Sequence, residues 1–175
     1  VELGMKERQL RTFDAAVRTC IDDYSAVYDK AKNVEKKTIK ALNQLAIYPA
    51  KERLVREAYH LKQSLPAYAL RDEFVAALKG HPVVIVKGAT GSGKSTKLAQ
   101  YAAEAMEGRV LCSQPRKLAA WGLGEHVAKE YGGGDLRREV ATEAERRQSY
   151  DPLRVGASVG VLVPGGRTKC GPKAR

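Results

Sequence analysis

The sequence predicts an α/β chain, in which an α-helical extension precedes a region built on a parallel sheet. Three observations predict it. Apolar residues between Leu10 and Val34 recur at steps of mostly three and four, a helical stripe. PVVIVKG, beginning at Pro82, is a β-branched run bounded by turn residues, the pattern of a buried parallel strand. After it, apolar run and helix alternate, and strand–helix–strand–helix order implies parallel pairing with right-handed crossovers.

Residues 1–48 are read as one long helix or a helix with a break. Leu10, Phe13, Val17, Ile21, Tyr24, Tyr28, Ala31 and Val34 form its stripe, charged residues fill the other faces, and Pro49 is expected to end it. KERLVREAYHLKQSL is a second amphipathic helix, with Leu54, Val55, Ala58, Leu61 and Leu65 on one side and Pro66 closing it. The heptads are few and imperfect, so an extension packed on the next region is the simpler expectation. A hairpin that binds a protein partner is the alternative.

The pattern changes at Pro66. Residues 68–79 predict a short helix with Phe74, Val75 and Leu78 inward, broken by Gly80, His81 and Pro82. The strand PVVIVKG, a Gly-rich turn and the helix STKLAQYAAEAM come next. RVLCSQP is read as a second strand and RKLAAWGLGEHVAKEY as a second helix. Residues 132–150 are polar and charged, which predicts a loop and an exposed helix. RVGASVGVLVP is read as a third strand through Val155, Val159, Val161 and Val163. The remaining Gly-rich, basic tail is expected to be poorly ordered.

The 175 residues carry a net charge of +11, which favours a polyanionic partner such as nucleic acid. The three cysteines, Cys20, Cys112 and Cys170, are far apart and form no CxxC, so neither a disulfide framework nor a structural zinc site is expected. That fits a reducing location, cytoplasmic or nuclear. No apolar run is long enough to span a bilayer.

Gly88, Ala89, Thr90, Gly91, Ser92, Gly93, Lys94 and Ser95 match the P-loop pattern Gly-x-x-x-x-Gly-Lys-Ser/Thr at every fixed position. The glycines permit backbone conformations closed to residues with a Cβ. The loop N–H groups and the start of the following helix then offer positive charge to phosphate oxygens. Lys94 is expected to reach the β- and γ-phosphates, Ser95 to ligate Mg2+, and Thr96 to pack or cap. This predicts binding of a nucleoside triphosphate, most simply ATP. SQPRKLAA follows the second predicted strand, placing Ser113 to Lys117 at the carboxyl edge of the expected sheet. A helix start with Arg116 and Lys117 suits a phosphate backbone.

Residues 65–163 resemble the opening of the first RecA-like domain of DEAH-box RNA helicases. The resemblance rests on Leu65, Pro66, Tyr68, Arg71, Asp72 and Glu73, on GATGSGKST, on SQPRKLAA and on VGASVG. It implies a partial RecA-like P-loop NTPase domain over residues 66–175 behind a helical extension over residues 1–65. It also implies ATP hydrolysis coupled to movement along RNA, with Gln114, Arg116 and Lys117 on the RNA backbone. The family usually has a second Arg where Lys117 stands, and an adenine-stacking Arg at about the position of His126. Asp-Glu-x-His, the family's hydrolytic motif, does not occur in the chain. The chain is therefore expected to be a piece of a longer helicase that holds ATP but turns it over little or not at all. A non-catalytic, nucleotide-dependent protein-binding module and a P-loop kinase of small molecules are the alternatives.

Several single residues read as structural. Trp121 is expected to be half-buried packing, His60 and His81 structural, and Cys112 a small buried strand residue. Arg137, Arg138, Arg146 and Arg147, interleaved with Glu139, Glu143 and Glu145, read as an internally paired solvated face.

Overall fold

The computed structural model describes residues 2–31, 48–133 and 159–164. Six helices are present among them: α1 (Glu2–Ala31), α2 (Tyr48–Gln63), α3 (Pro66–Ala69), α4 (Arg71–Gly80), α5 (Lys94–Ala105) and α6 (Lys117–Tyr131). α1 packs on α2 and α3, α5 packs between α4 and α6, and α2 reaches α6.

The expected helix at the start is present as α1, but its inward face is not the apolar stripe. Gln9, Thr12, Ala16 and Cys20 are buried, while Leu10 and Ile21 are 57% and 56% exposed. Phe13 and Val17 are half-buried at the margin. Small and polar side chains let α1 lie close to its neighbours. Gln9 supplies a directed contact, donating from Nε2 to the Leu65 carbonyl at 3.0 Å and accepting from Ser64 Oγ at 2.9 Å.

Pro49 does not end a helix; it lies in the first turn of α2. The first turn needs no intrahelical N–H donor, and the proline ring presets a helical φ there. α2 stops at Ser64, whose φ of 52° is left-handed and whose N–H returns to the His60 and Leu61 carbonyls. Pro66 then starts α3. The single helix expected over 68–79 is divided at Leu70 into α3 and α4, and no α4 residue is fully buried. Phe74, Val75 and Leu78 are half-buried.

The predicted parallel sheet is absent among the described residues, which corrects the α/β, RecA-like expectation: they are helical. Residues 83–89 and 109–114 are extended but pair with no strand, and a lone bridge at Val161 is all that remains of strand pairing. Val83 is 75% exposed, Ile85 91% and Leu111 94%. β-Branched composition only favours a pleated, half-buried surface. A parallel strand also needs a ladder and cover on both faces. Here residues 110–114 and 159–162 line, with α5 and α6, a cavity of about 300 Å³, and Val161 is buried against Gly124 of α6 rather than in a sheet. Without a sheet, Ser113–Lys117 has no sheet edge to occupy, and Cys112 is exposed rather than buried. Residues 154–158 of the third predicted strand, the stretch 134–153 before it and the tail 165–175, with Cys170, lie outside the described residues.

The helices enclose a core with an unusual polar content. Among the largest fully buried side chains, Tyr68 and Tyr101 are joined by Lys97, His60, Gln9, Gln100, Glu57 and Glu130. Buried polar groups on this scale are tolerable only when they bond to one another, and most of these do.

Candidate nucleotide-binding site

The loop from Gly88 to Gly93 leads directly into α5. Gly91 and Gly93 have φ of 82° and 90°, left-handed values that glycine adopts without strain. Gly93 is the N-cap of α5, so the turn delivers the chain straight into the helix, whose first N–H groups have no intrahelical partner. The Ser92 N–H donates to the Ala89 carbonyl at 3.3 Å and closes the turn. A Cβ at Gly88 would stand 3.2 Å from Ser92 Oγ and 3.5 Å from Lys94 Cδ, so the loop leaves no room for one without displacement.

The Lys94 ammonium folds back over this loop. It donates to the Gly88 and Ala89 carbonyls at 2.7 Å each and lies 3.3 Å from Ser92 Oγ. All three are neutral oxygens, which a phosphate would outbid because charge-assisted bonds to an anion are stronger. The Thr96 hydroxyl donates back to the Gly93 carbonyl at 3.3 Å within the first turn, and no side chain caps the start of α5. Ser95 is exposed at the head of α5. The residues fit a triphosphate: a glycine cradle, a cation held at its mouth and a helix start. Ser95 would supply one hydroxyl oxygen to Mg2+, and no group of three or more acidic, His or Cys residues able to hold a metal occurs among the described residues.

Ser95 and Gln114 line the same cavity, with Cys112, Leu123 and Val161, so the structure brings the loop and the SQPRK segment together at Gln114. Arg116 is the N-cap of α6 and Lys117 its first residue, and both are exposed. Neither lines that cavity. His126 is exposed on α6, with its Nε2 3.2 Å from Glu130 Oε1 one turn along the helix. Trp121 is half-buried, as expected. His81 is exposed and ends α4, its N–H donating to the Ala77 carbonyl.

Beneath the loop lies a cluster that the motifs do not mark. Lys97, fully buried on α5, places Nζ 3.0 Å from Glu130 Oε1 of α6 and 2.9 Å from His60 Nδ1 of α2, and also donates to Gln63 Oε1. Gln100 donates from Nε2 to Glu130 Oε2 at 2.8 Å. Lys97 can only donate, so His60 accepts at Nδ1 and carries its proton on Nε2. Burial, reinforced by the positive charges of Lys97, Arg56 and Arg71, pushes the His60 pKa down to about 2 and keeps the ring neutral. Burial also lowers the Lys97 pKa, with the Glu130 carboxylate acting the other way.

A second carboxylate, Glu57 of α2, joins the neighbouring elements. It accepts from Tyr68 Oη at 2.7 Å and pairs with Arg71 at 2.5 Å. Burial, then the Glu57 charge, raises the Tyr68 pKa. Glu73 pairs at the surface with Arg8 of α1 at 3.3 Å. Tyr68, Arg71 and Glu73 therefore tie helices together, a role that sequence reasoning missed because their partners lie up to 65 residues away. The buried Lys97 was legible only as a cation at i+3 from Lys94.

The site thus has the form of a glycine turn that enters the N-terminus of a helix, with a lysine folded over it. Part of the chain is similar to the ATP-dependent RNA helicase DHX29 of Homo sapiens, 34% identical over 121 residues. That region is 63% of this chain but 8% of the relative, so the chain spans a small part of the protein it matches. The similarity relates the chain, at a distance, to RNA helicases. No protein-family model matches the chain, and no solved structure matches it. Among the described residues, no helix is long and apolar enough to cross a membrane.

Proposed function

We propose that the chain is the ATP-binding part of an ATP-dependent RNA helicase, with Gly88–Thr96 as the triphosphate loop. One observation carries the reading: two left-handed glycines lead into α5 while the Lys94 ammonium rests on exchangeable carbonyls at the loop's mouth. Lys94 grips phosphate, Ser95 gives an oxygen to Mg2+, and the bound ion offsets phosphate charge. The distant similarity to an ATP-dependent RNA helicase supports ATP over other triphosphates and RNA as the polyanion. Gln114, Arg116 and Lys117 contact the RNA backbone, a sequence-tolerant and salt-sensitive grip. In this reading the protein acts in a reducing compartment, cytoplasmic or nuclear.

The test is binding of a fluorescent ATP analogue with Mg2+, and of single-stranded RNA, by the 175-residue chain. Lys94→Ala should remove analogue binding while leaving the melting temperature within a few degrees, because its ammonium bonds only to the exposed loop. Arg116→Ala with Lys117→Ala should weaken RNA binding and flatten its salt dependence by about two phosphate contacts. Analogue binding that survives Lys94→Ala would overturn the loop assignment. A chain that binds the analogue but not RNA would favour the nucleotide-dependent protein-binding module.

A further inference from the structure

The space beside the N-cap of α5 is closed. A Cβ on Gly93 would meet Lys97 Cγ at 3.1 Å, Leu65 Cδ1 at 3.2 Å and Ala67 Cβ at 3.3 Å. The aliphatic stem of Lys97 therefore lies directly under the loop, flanked by the junction between α2 and α3. Two main-chain bonds fasten the same place: the Ala67 N–H donates to the Ser92 carbonyl at 3.0 Å, and the Lys97 N–H to the Gly93 carbonyl at 2.8 Å.

The far end of Lys97 is held from two sides, by Glu130 of α6 and by His60 and Gln63 of α2. An apolar side chain could fill this space, and burying a cation instead carries a desolvation cost. What the cation adds is direction. Three acceptors on two helices fix the rotation of α5, whereas apolar packing permits small rotations. Each residue along a helix turns it by about 100°, so the rotation that places Lys97 inward also decides where Lys94 and Ser95 point.

We propose that Lys97 is a positioning residue for the nucleotide loop: pinned between Glu130, His60 and Gln63, it holds Gly93 and sets the direction in which Lys94 and Ser95 meet phosphate. The helical region before residue 66 is then part of the site's framework. Its α2 supplies two of the three anchors, and Gln9 of α1 braces Ser64 and Leu65 beside the loop. The inference rests on reading Gly88–Ser95 as the triphosphate loop, so its test needs a readout that does not depend on nucleotide.

The experiment compares the 175-residue chain with Lys97→Met/Glu130→Met, which removes both buried charges together and leaves neither unpaired. Three quantities are read: melting temperature, amide hydrogen exchange of residues 89–95 without nucleotide, and Kd for the fluorescent ATP analogue. The double variant should stay folded, because an apolar replacement of a buried pair is often neutral. Exchange at residues 89–95 should rise about tenfold while α1 exchanges as before, and the analogue should bind about tenfold more weakly. Unchanged loop exchange and affinity in a folded double variant would overturn the proposal and leave Lys97 as filler. If the double variant does not fold, Glu130→Gln, which keeps an acceptor but loses the charge, should raise loop exchange about threefold; no rise would overturn the proposal. If loop exchange rises as stated while the unaltered chain binds no analogue, the positioning role stands and the nucleotide reading falls.

Discussion

The core of the molecule and its two extended stretches invert the usual distribution of residue types. Lys97, His60 and Glu130 are at most 1% exposed, while Ile85 and Leu111 are 91% and 94% exposed. The difference is one of partners. α2, α5 and α6 bring complementary polar groups to within 3 Å of each other, so most of the buried charges and dipoles meet a complement, although His60 Nε2, Gln100 Oε1 and Tyr101 Oη have no hydrogen-bond partner among the described residues. The extended stretches meet no ladder and no second layer, so apolar composition alone earns no burial. Burial here follows from which elements the helices bring together, not from the hydrophobicity of the residue.

Substitutions that act differently on the two regions sharpen the contrast. The largest effect is expected from Lys97→Met alone, which strands Glu130 without its cation. Removing one partner of a buried pair costs about 3–5 kcal/mol, to be measured by urea unfolding. A loss under about 1 kcal/mol would mean that water reaches the cluster and that the contrast is false.

The next effect concerns pH. His60 is neutral when folded, with a pKa near 2, but titrates near its ordinary 6.5 when unfolded. Below about 6.5 the unfolded chain therefore binds a proton that the folded chain refuses. Stability contributed by the neutral ring is full above that pH and is lost progressively as pH falls toward 2. Between pH 7 and 5 the loss from this residue is about 2 kcal/mol, at about 1.4 kcal/mol per pH unit. Unfolding at both pH values, with His60→Gln as control, checks it: the control should lose this part of the slope.

Tyr68→Phe leaves the Glu57 carboxylate with Arg71 but without the phenol hydrogen bond. It should cost about 1–2 kcal/mol by thermal unfolding. The smallest effect is expected in the extended stretch, where Ile85→Thr should change stability by less than about 0.5 kcal/mol. A cost comparable to that of Tyr68→Phe would show that the stretch is packed in solution.

Much of the candidate site was legible in sequence because its chemistry is local. Gly88 to Thr96 are contiguous, and their spacing dictates a glycine turn running into a helix, which is what α5 and its N-cap show. Helix boundaries followed local rules as well, apart from Pro49, which was read as a stop and serves in the first turn of α2, and the break at Leu70, which was not foreseen. The sheet was misread because strand propensity is local while strand pairing is not. The α1 stripe was misread for a related reason. Its periodicity said helix, correctly, but which face turns inward depended on Gln9 finding Ser64 and Leu65, 55 and 56 residues away.

By itself, then, the sequence determined most of the helices and the glycine turn that enters α5, since 3.6-residue periodicity and glycine conformational freedom act within a few residues. Only the tertiary structure decided what surrounds that loop. It left residues 83–89 and 109–114 unpaired, turned the small, polar side of α1 inward, and set Lys97 under Gly93 with its charge shared by α2 and α6. Those outcomes depend on distances between residues far apart in the chain, and the burial of a charge is permitted or forbidden only by what stands beside it.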